Sequence, residues 1–146
     1  MQERTTVIPS MRYHDADAAI QWLERALGFT QHAVYRHPDK GHVVHAELVH
    51  RRSRGGVGMV MLGSTHNESE MATHYRRPAE VGGVTSSAYL IVDDCDPVYA
   101  AAQSTSAEIL MTLRTMDYGG KAFAVRDPEG HIWSVGEYDP FALLTA

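Results

Sequence analysis

The stretch DPEGHIWSV, residues 127–135, decides how the C-terminal part of the chain folds. Asp127 and Gly130 flank a chain reversal that starts at a proline, a composition typical of a tight turn between two strands. The segments on either side, Lys121–Arg126 and His131–Tyr138, are rich in strand formers. The sequence therefore predicts that these two segments are neighbouring strands joined by the turn.

Upstream of this turn, the second half of the chain contains two more predicted strands and a helix. The strands are Ser87–Val92 and Ile109–Thr115. Between them, apolar residues recur at helical spacing over residues 98–102, and either Asp94 or Asp96 can cap the start of the helix. The second half is therefore predicted to run strand, helix, strand, strand, strand.

The first half repeats this order. A strand is predicted over Val7–Tyr13, and apolar side chains at helical spacing predict a helix over Asp15–Gly28. Asp15 can cap the start of this helix, and Gly28 suits the left-handed residue that ends it. Three further strands are predicted at Phe29–His37, His42–His50 and Val57–Leu62. The first half is therefore also βαβββ.

The two halves share the steps Asp15-Ala16-Asp17 and Asp94-Cys95-Asp96, a pattern left by internal duplication and also produced by capping chemistry alone. Four strands under one helix bury one sheet face and leave the other curved and open. Two such units, about 7–64 and 85–138, are predicted to form one domain over residues 1–146 with a cavity between them. The polar connector 65–84 lacks periodicity, and connectors of this length are often functional.

The composition is that of an ordinary globular domain. Hydrophobic residues make up 44% of the 146 residues, which is enough for a real core. The formal net charge of -5 leaves no basic excess, so neither nucleic acid nor a membrane is expected as a partner. Cys95 is the only cysteine, which excludes an internal disulfide, and the N-terminus resembles neither a signal peptide nor a membrane span. A cytoplasmic location is expected.

These motifs resemble a known family. The turn and final strand at 127–135 are similar to those of the glyoxalase, bleomycin-resistance and extradiol dioxygenase superfamily, the vicinal oxygen chelate proteins. The helix that starts at Asp15 and ends in Leu27-Gly28-Phe29 is similar to the family's first helix. The resemblance covers Val7–Tyr138 and implies an α+β fold, in which two βαβββ units form a cupped mixed sheet around a cavity.

In metal-dependent members of this family, His or Glu residues on the first, fourth, fifth and eighth strands converge on one ion. The corresponding positions in this sequence are Ile8, Val60 or Met61, Ser87 and Ser134. Zinc, nickel or iron in such a site needs several imidazole or carboxylate ligands, and none of these residues supplies one. The resemblance therefore points to the metal-free branch, with no metal and no other cofactor.

The resemblance also implies which side chains line the cavity, because alternate residues of a strand point to the same face. The implied ligand-binding residues are Ile8, Ser10, Arg12, Met59, Met61, Ser87, Tyr89, Ile132 and Ser134, with Ile91 and Gly136 on the same strands. Tyr118, in a predicted loop beside Gly119-Gly120, is a further ligand-binding candidate, because its ring could stack on a ligand there. Apolar walls with a few hydroxyls are typical of small-molecule sites, and ordinary core packing is the alternative. Arg12 either meets an anionic partner in the pocket or reaches solvent from the strand end.

Two functions fit the predicted cavity without a metal. The first is metal-free sequestration of a partly aromatic small molecule by a homodimer, similar to the antibiotic-binding members of the family. The second is a glyoxalase-like lyase or isomerase acting on a small carbonyl or thiol-adduct substrate, with His45, Glu47 and Glu137 as candidates. No nucleophile is indicated, so no catalytic residue is assigned. A scaffold that acts only through protein partners, with its pocket closed by packing, is a third alternative.

Overall fold

The chain contains the two predicted groups of one helix and four strands. The structure is a computed structural model, and it describes residues 5–144. The first unit comprises β1 (Ser10–Tyr13), α1 (Ala16–Leu27), β2 (Thr30–Arg36), β3 (Val43–Arg51) and β4 (Val57–Ser64). The connector carries a 3₁₀ turn (Ala72–His74) and a short helix α2 (Pro78–Val81). The second unit comprises β5 (Ala88–Ile91), α3 (Cys95–Gln103), β6 (Glu108–Thr115), β7 (Lys121–Arg126) and β8 (Ile132–Gly136), and a 3₁₀ turn (Pro140–Leu143) follows it.

Both long helices start at an aspartate cap. The Asp15 side chain accepts the backbone N–H of Ala18 at 3.0 Å at the start of α1. Asp94, rather than Asp96, caps α3 by accepting the N–H of Asp96 at 3.0 Å. Gly28 ends α1 in the left-handed conformation, with φ of 77°. The caps satisfy backbone groups that a helix leaves unpaired at its ends, which explains where α1 and α3 begin and where α1 ends.

The strands form two four-stranded sheets of the same topology. The order is β1-β4-β3-β2 in the first sheet, called the N-sheet, and β5-β8-β7-β6 in the second, called the C-sheet. In each sheet the first strand pairs in parallel with the fourth, and the other neighbours are antiparallel. The predicted α+β fold of paired βαβββ units is confirmed, with two separate sheets in place of one continuous sheet.

One hydrophobic core joins the two units. Helix α1 packs on the N-sheet and on α3, and α3 packs on the C-sheet. Leu23 and Leu27 of α1, Leu62 of β4, and Phe123 and Trp133 of the C-sheet are buried in one continuous cluster. Burial of each such side chain stabilises the fold by about 1.5–3 kcal/mol. Each sheet therefore turns an inward face to this core and an outward face away from it.

The turn between β7 and β8 fastens the second unit to the first. Both carboxylate oxygens of Glu129 accept backbone N–H groups at the start of α1, from His14 at 2.6 Å and Asp15 at 2.8 Å. In the same turn, buried Asp127 accepts the Tyr13 hydroxyl at 2.7 Å. Burial, helped by the Asp127 carboxylate, raises the pKa of Tyr13 well above its usual value. The DPEG motif is therefore a structural joint between the two units.

The turn between β3 and β4 fastens the first unit to the second in the same way. Arg52 forms ion pairs with Asp93, just after β5, at 3.0 Å and with Asp139, beyond β8, at 2.7 Å. The Ser53 hydroxyl also donates to Asp93 at 2.8 Å. These bonds, that of Ser53 first, lower the pKa of Asp93 to about 2. Each unit's last hairpin thus contacts the strand-to-helix junction of the other unit, which supports an internal duplication.

Four predicted strands, β1, β2, β5 and β8, are shorter in the structure, and the connector is more regular than predicted. Strand β1 begins at Ser10 because Pro9 has no N–H to extend the ladder. Strand β5 begins at Ala88, so Ile8 and Ser87 both lie before their strands and are exposed. Helix α2 in the connector starts with a proline, a residue suited to the first helical turn. Within residues 5–144, no helix is long and apolar enough to cross a membrane.

Candidate functional site

The outward face of the N-sheet carries four of the residues implied as ligand contacts. Ser10 on β1 lies directly beside Met61 on β4, and Met59 lies two residues before Met61 on the same face. Arg12 stands at the C-terminal end of β1. Ser10 is exposed and the other three are half-buried, whereas Val60 between the methionines is buried in the core. These four residues therefore lie on one face of the N-sheet, as strand alternation predicts.

The outward face of the C-sheet carries three more of them. Tyr89 on β5 lies beside Ser134 on β8, and Ile91 lies beside Gly136. Ile132 occupies the start of β8 and is half-buried. None of these side chains is charged. The face is therefore a mainly apolar surface that carries one exposed tyrosine and one serine hydroxyl.

Three tyrosines form an aromatic surface at one end of the C-sheet. The Tyr89 ring lies across Gly136, so closely that a Cβ at Gly136 would stand 2.9 Å from two ring carbons. Its hydroxyl donates to the backbone carbonyl of Tyr138 at 2.8 Å, and burial is the first cause that raises the pKa of Tyr89 to about 12. Tyr118 packs edge-on against Tyr138, with ring centroids 5.3 Å apart. Tyr89 is 42% and Tyr118 54% exposed, so both rings are accessible to a ligand.

The implied ligand residues form two separate groups within one chain. The N-sheet group is Ser10, Arg12, Met59 and Met61, and the C-sheet group is Tyr89, Tyr118, Ile132 and Ser134. Both outward faces point away from the shared core because α1 and α3 pack against each other between the units. Ile8 and Ser87 lie outside the strands, in neither group. That all these residues line one cavity stays a prediction.

Arg12 lies in a cleft between the end of β1 and the connector. Its guanidinium stacks 4.9 Å from the ring centroid of Tyr75 and donates to the Asn67 carbonyl at 3.4 Å. The cleft has a volume of about 180 Å³, and its walls include Arg12, Thr65, Tyr75, Arg76, Arg77 and Glu80. The connector has no periodic pattern that predicts its position in the fold, so the sequence alone did not predict that its residues form a site. Its Arg76-Arg77 pair was the available signal.

A second, more open cleft of about 600 Å³ lies between α2 and the turn at 127–130. Its charged groups already bind each other, because Glu129 holds the start of α1 and lies 3.7 Å from Arg77. Gly130 approaches Pro78 so closely that a Cβ there would stand 2.9 Å from the Pro78 Cβ. The polar groups on the walls of this cleft already bond the two units to each other, so few of them remain free to bind a ligand.

The histidine and glutamate candidates of the enzyme alternative differ in their surroundings. His45 and Glu47 form a pair at 2.9 Å on the outward face of the N-sheet, where the Tyr35 ring stacks 6.0 Å from His45. His32 approaches Glu47 at 3.9 Å. This group is half-exposed and lies on the same face as Met61, which pairs with Glu47. A proton could be exchanged there with a bound molecule.

Glu137, in contrast, has a structural role. Its two oxygens accept the backbone N–H groups of Cys95 at 2.9 Å and Lys121 at 3.0 Å, and these bonds lower its pKa. Cys95 is buried, and its thiol donates to the Lys121 carbonyl at 3.3 Å. Burial is the first cause that raises the pKa of Cys95 to about 12, so the thiol is not activated. Neither residue has a free group to offer a substrate.

Comparison with known proteins identifies the family. The profile of the Glyoxalase/Bleomycin resistance protein/Dioxygenase superfamily matches residues 6–135. The chain belongs to this superfamily. An uncharacterised protein of Mycobacterium bovis is 28% identical over 129 residues, which cover 88% of this chain and 80% of that protein.

Solved structures share the superfamily fold with this chain. The crystal structure of TioX from Micromonospora sp. ML1 is 26% identical, matches 92% of this chain and 99% of its own, and has a TM-score of 0.62. A superfamily member from Sphaerobacter thermophilus is 20% identical, matches 92% and 98% of the two chains, and has a TM-score of 0.61. These similarities show the fold and assign no ligand.

The positions that the family resemblance implies for a metal ion carry no suitable ligands. On β4, Met61 rather than Val60 points outward. Together with Ile8, Ser87 and Ser134 it offers a thioether, an alkyl group and two hydroxyls, a donor set that does not fit zinc, nickel or iron. Over residues 5–144, no group of three or more His, Cys, Asp or Glu side chains is placed to hold a metal ion.

Proposed function

We propose that this protein binds a small, partly aromatic molecule, without a metal, between two copies of the chain. Because both outward faces point away from one shared core, the N-sheet and C-sheet groups can meet across a ligand only when they come from different copies. A symmetric homodimer formed in this way has two equivalent sites. It also covers the apolar side chains of Met59, Met61, Tyr89 and Ile132, which one chain leaves half-buried or exposed.

The chemistry of the two outward faces carries this proposal. On the N-sheet, Met59 and Met61 provide polarisable walls, and methionine sulfur packs favourably against aromatic rings. On the C-sheet, the Tyr89 ring lies against Gly136, is held there by its hydroxyl bond to Tyr138, and supplies an aromatic surface on which a ligand can stack. The serine hydroxyls are sparse polar groups of the kind that fix a ligand's orientation. The surroundings therefore suit a ligand with an aromatic part and few hydrogen-bonding groups.

Light scattering combined with methionine methyl NMR tests the proposal. The chain of 16.2 kDa should give twice that mass at micromolar concentration. In a screen of small aromatic compounds, a binding compound should shift the methyl signals of Met59 and Met61. The signal of Met71, an exposed methionine in the connector, is the control and should not move. A monomeric mass, or compounds that bind without moving the two N-sheet methionines, would overturn the proposal.

A lyase or isomerase activity is the second candidate, and one observation favours it. The His45–Glu47 pair lies on the outward face of the N-sheet, where a bound carbonyl compound could exchange a proton with it. Glu47→Gln should then abolish turnover of small carbonyl or thiol-adduct substrates while binding of aromatic compounds persists. The matched control is Glu24→Gln, which alters a half-buried carboxylate on α1 that accepts a hydrogen bond from the Gln31 side chain. Equal turnover by Glu47→Gln and the parent protein would exclude this role.

A further inference from the structure

The cleft between β1 and the connector concentrates positive charge in a chain that is acidic overall. Three guanidinium groups, those of Arg12, Arg76 and Arg77, line it together with one carboxylate, that of Glu80. The formal net charge of the whole chain is -5, so a general attraction for anions is not expected. Saturable binding of an anion would therefore have to come from a local arrangement such as this one.

Two of the three arginines lack a carboxylate partner among residues 5–144. Arg76 donates to the carbonyls of Thr73 and Tyr75, both at 2.8 Å, and Arg12 donates to that of Asn67 at 3.4 Å. None of the described ion pairs, which extend to 4.0 Å, includes either of them. Each guanidinium has five N–H donors, so both keep donors for another acceptor.

The third arginine and the glutamate neutralise each other. Arg77 lies 3.8 Å from Glu80 and 3.7 Å from Glu129. The Glu80 carboxylate also accepts the backbone N–H of Arg77 at 2.6 Å, which fixes it at the start of α2. Among the charged residues that line the cleft, Arg12 and Arg76 are therefore the two without a carboxylate partner among residues 5–144.

These two guanidinium groups are held in place before any ligand arrives. Arg12 stacks on the Tyr75 ring at 4.9 Å, and Arg76 is tied by two carbonyls of its own loop. A planar guanidinium whose orientation is fixed can bind a carboxylate or phosphate group through two parallel hydrogen bonds. Ordering the side chains in advance reduces the entropy lost on binding.

We propose that this cleft binds the anionic group of a small molecule, a carboxylate or a phosphate, through Arg12 and Arg76. Arg12 also belongs to the N-sheet group, but one chain supplies every residue of this cleft, so anion binding does not depend on the dimer of the proposed function. The cleft volume of about 180 Å³ admits such a group with a few attached atoms. Tyr75 gives the attached part an aromatic edge to pack against.

The test is a titration of the full chain with inorganic phosphate and, separately, with benzoate, at constant low ionic strength. NMR follows the side-chain Nε–H signals of the arginines. Saturable shifts of the Arg12 and Arg76 signals are expected with at least one probe, and the ratio of the two affinities tells whether phosphate or carboxylate is preferred. The signal of Arg114, on β6, should not shift.

Matched substitutions separate a site from general charge effects. Arg76→Gln should weaken binding of the preferred probe about five- to tenfold, in line with loss of one charge-assisted hydrogen-bonding partner. Arg114→Gln is the control, because Arg114 is also exposed and its described hydrogen bonds go only to Thr112. Arg76 is itself exposed, so its replacement leaves the fold intact even if Arg12→Gln does not.

Three results would overturn the proposal. One is the absence of saturable binding of either probe by the parent chain. Another is an equal loss of affinity in Arg76→Gln and Arg114→Gln, which would indicate a general charge effect. The third is binding by Arg76→Gln with the affinity of the parent.

Discussion

The side chain of Glu129 accepts the backbone N–H of Asp15 at 2.8 Å, although the two residues are 114 positions apart in the chain. Asp15 in turn caps α1 through its own side chain, so the turn of one unit and the helix start of the other are linked in series. The motif by which the sequence resembles its superfamily therefore holds the two units together.

Loss of the Glu129 carboxylate should destabilise the fold. Glu129→Ala leaves two backbone donors at the start of α1 without their acceptor, and hydrogen bonds to charged groups are worth roughly 1.5–3 kcal/mol. Urea unfolding should show a loss of about that size, with Glu129→Gln in between. Glu108→Ala is the control, since its ion pair with Arg126 is exposed and should contribute at most about 1 kcal/mol. Equal losses in the two alanine variants would contradict the role given to the turn.

The second joint, at Arg52, should make stability sensitive to acid. Arg52 is the first cause that lowers the pKa of Asp139, and it contributes to the pKa of about 2 of Asp93. A carboxylate with a lowered pKa stabilises the fold above its ordinary pKa of 3.8, and this contribution is lost as the pH falls toward 2. Arg52→Gln should reduce the free energy of unfolding at neutral pH. In urea unfolding at a series of pH values, the variant should also lose less of this free energy than the parent as the pH falls toward 2. Arg51→Gln, at an exposed neighbouring position, should leave the pH profile of the parent unchanged.

His50 should make stability fall as the pH drops below about 6.5. Burial, with the Phe29 ring centroid 5.4 Å away, lowers the pKa of His50 below the ordinary value of 6.5. The unfolded chain therefore takes up a proton more readily, and folded stability that is present above 6.5 decreases as the pH falls. His50→Gln should shrink the difference in melting temperature between pH 7.5 and pH 5.5, conditions that bracket histidine titration. His74→Gln, in the exposed connector, should leave this difference unchanged. A difference in His50→Gln equal to that of the parent would refute the assignment.

Gly136→Ala should displace the Tyr89 ring. A Cβ at Gly136 overlaps that ring, and overpacking of this kind costs about 1–3 kcal/mol. An NMR titration that follows the ring signals of Tyr89 should also show a pKa below the value of about 12 expected for the parent, since the displaced ring is less buried. Gly58→Ala is a matched strand control, because a Cβ there meets nothing within 4 Å. A Tyr89 pKa that stays at the parent value would show that the ring does not depend on Gly136.

Ser134→Trp tests whether the outward face of the C-sheet lines a ligand site. Ser134 is half-buried beside Tyr89, so the indole should be accepted with less than the roughly 1–3 kcal/mol typical of overpacking a closed core. Binding of an aromatic ligand found for the parent should be lost. Ser106→Trp, at an exposed loop position, should keep that binding. Unchanged affinity in Ser134→Trp would show that this face is not the site.

Much of the fold was predictable from local sequence patterns. The aspartate cap at Asp15 and the left-handed Gly28 mark the two ends of α1, because capping depends only on residues within one helical turn. Alternation along β4 also predicted that Met59 and Met61 share one face, and both lie on the outward face while Val60 between them is buried. Each of these properties depends on neighbours a few positions away in the chain.

Only the tertiary structure decided which surfaces these elements form. The packing of α1 on α3 sends the Met61 and Tyr89 faces away from one common core, and no sequence period records the contact between two helices so far apart. Other long-range contacts place the connector residue Tyr75 against Arg12 and pair the Glu137 carboxylate with two backbone N–H groups. Strand periodicity assigns a side chain to a face, whereas what that face meets depends on segments distant in sequence.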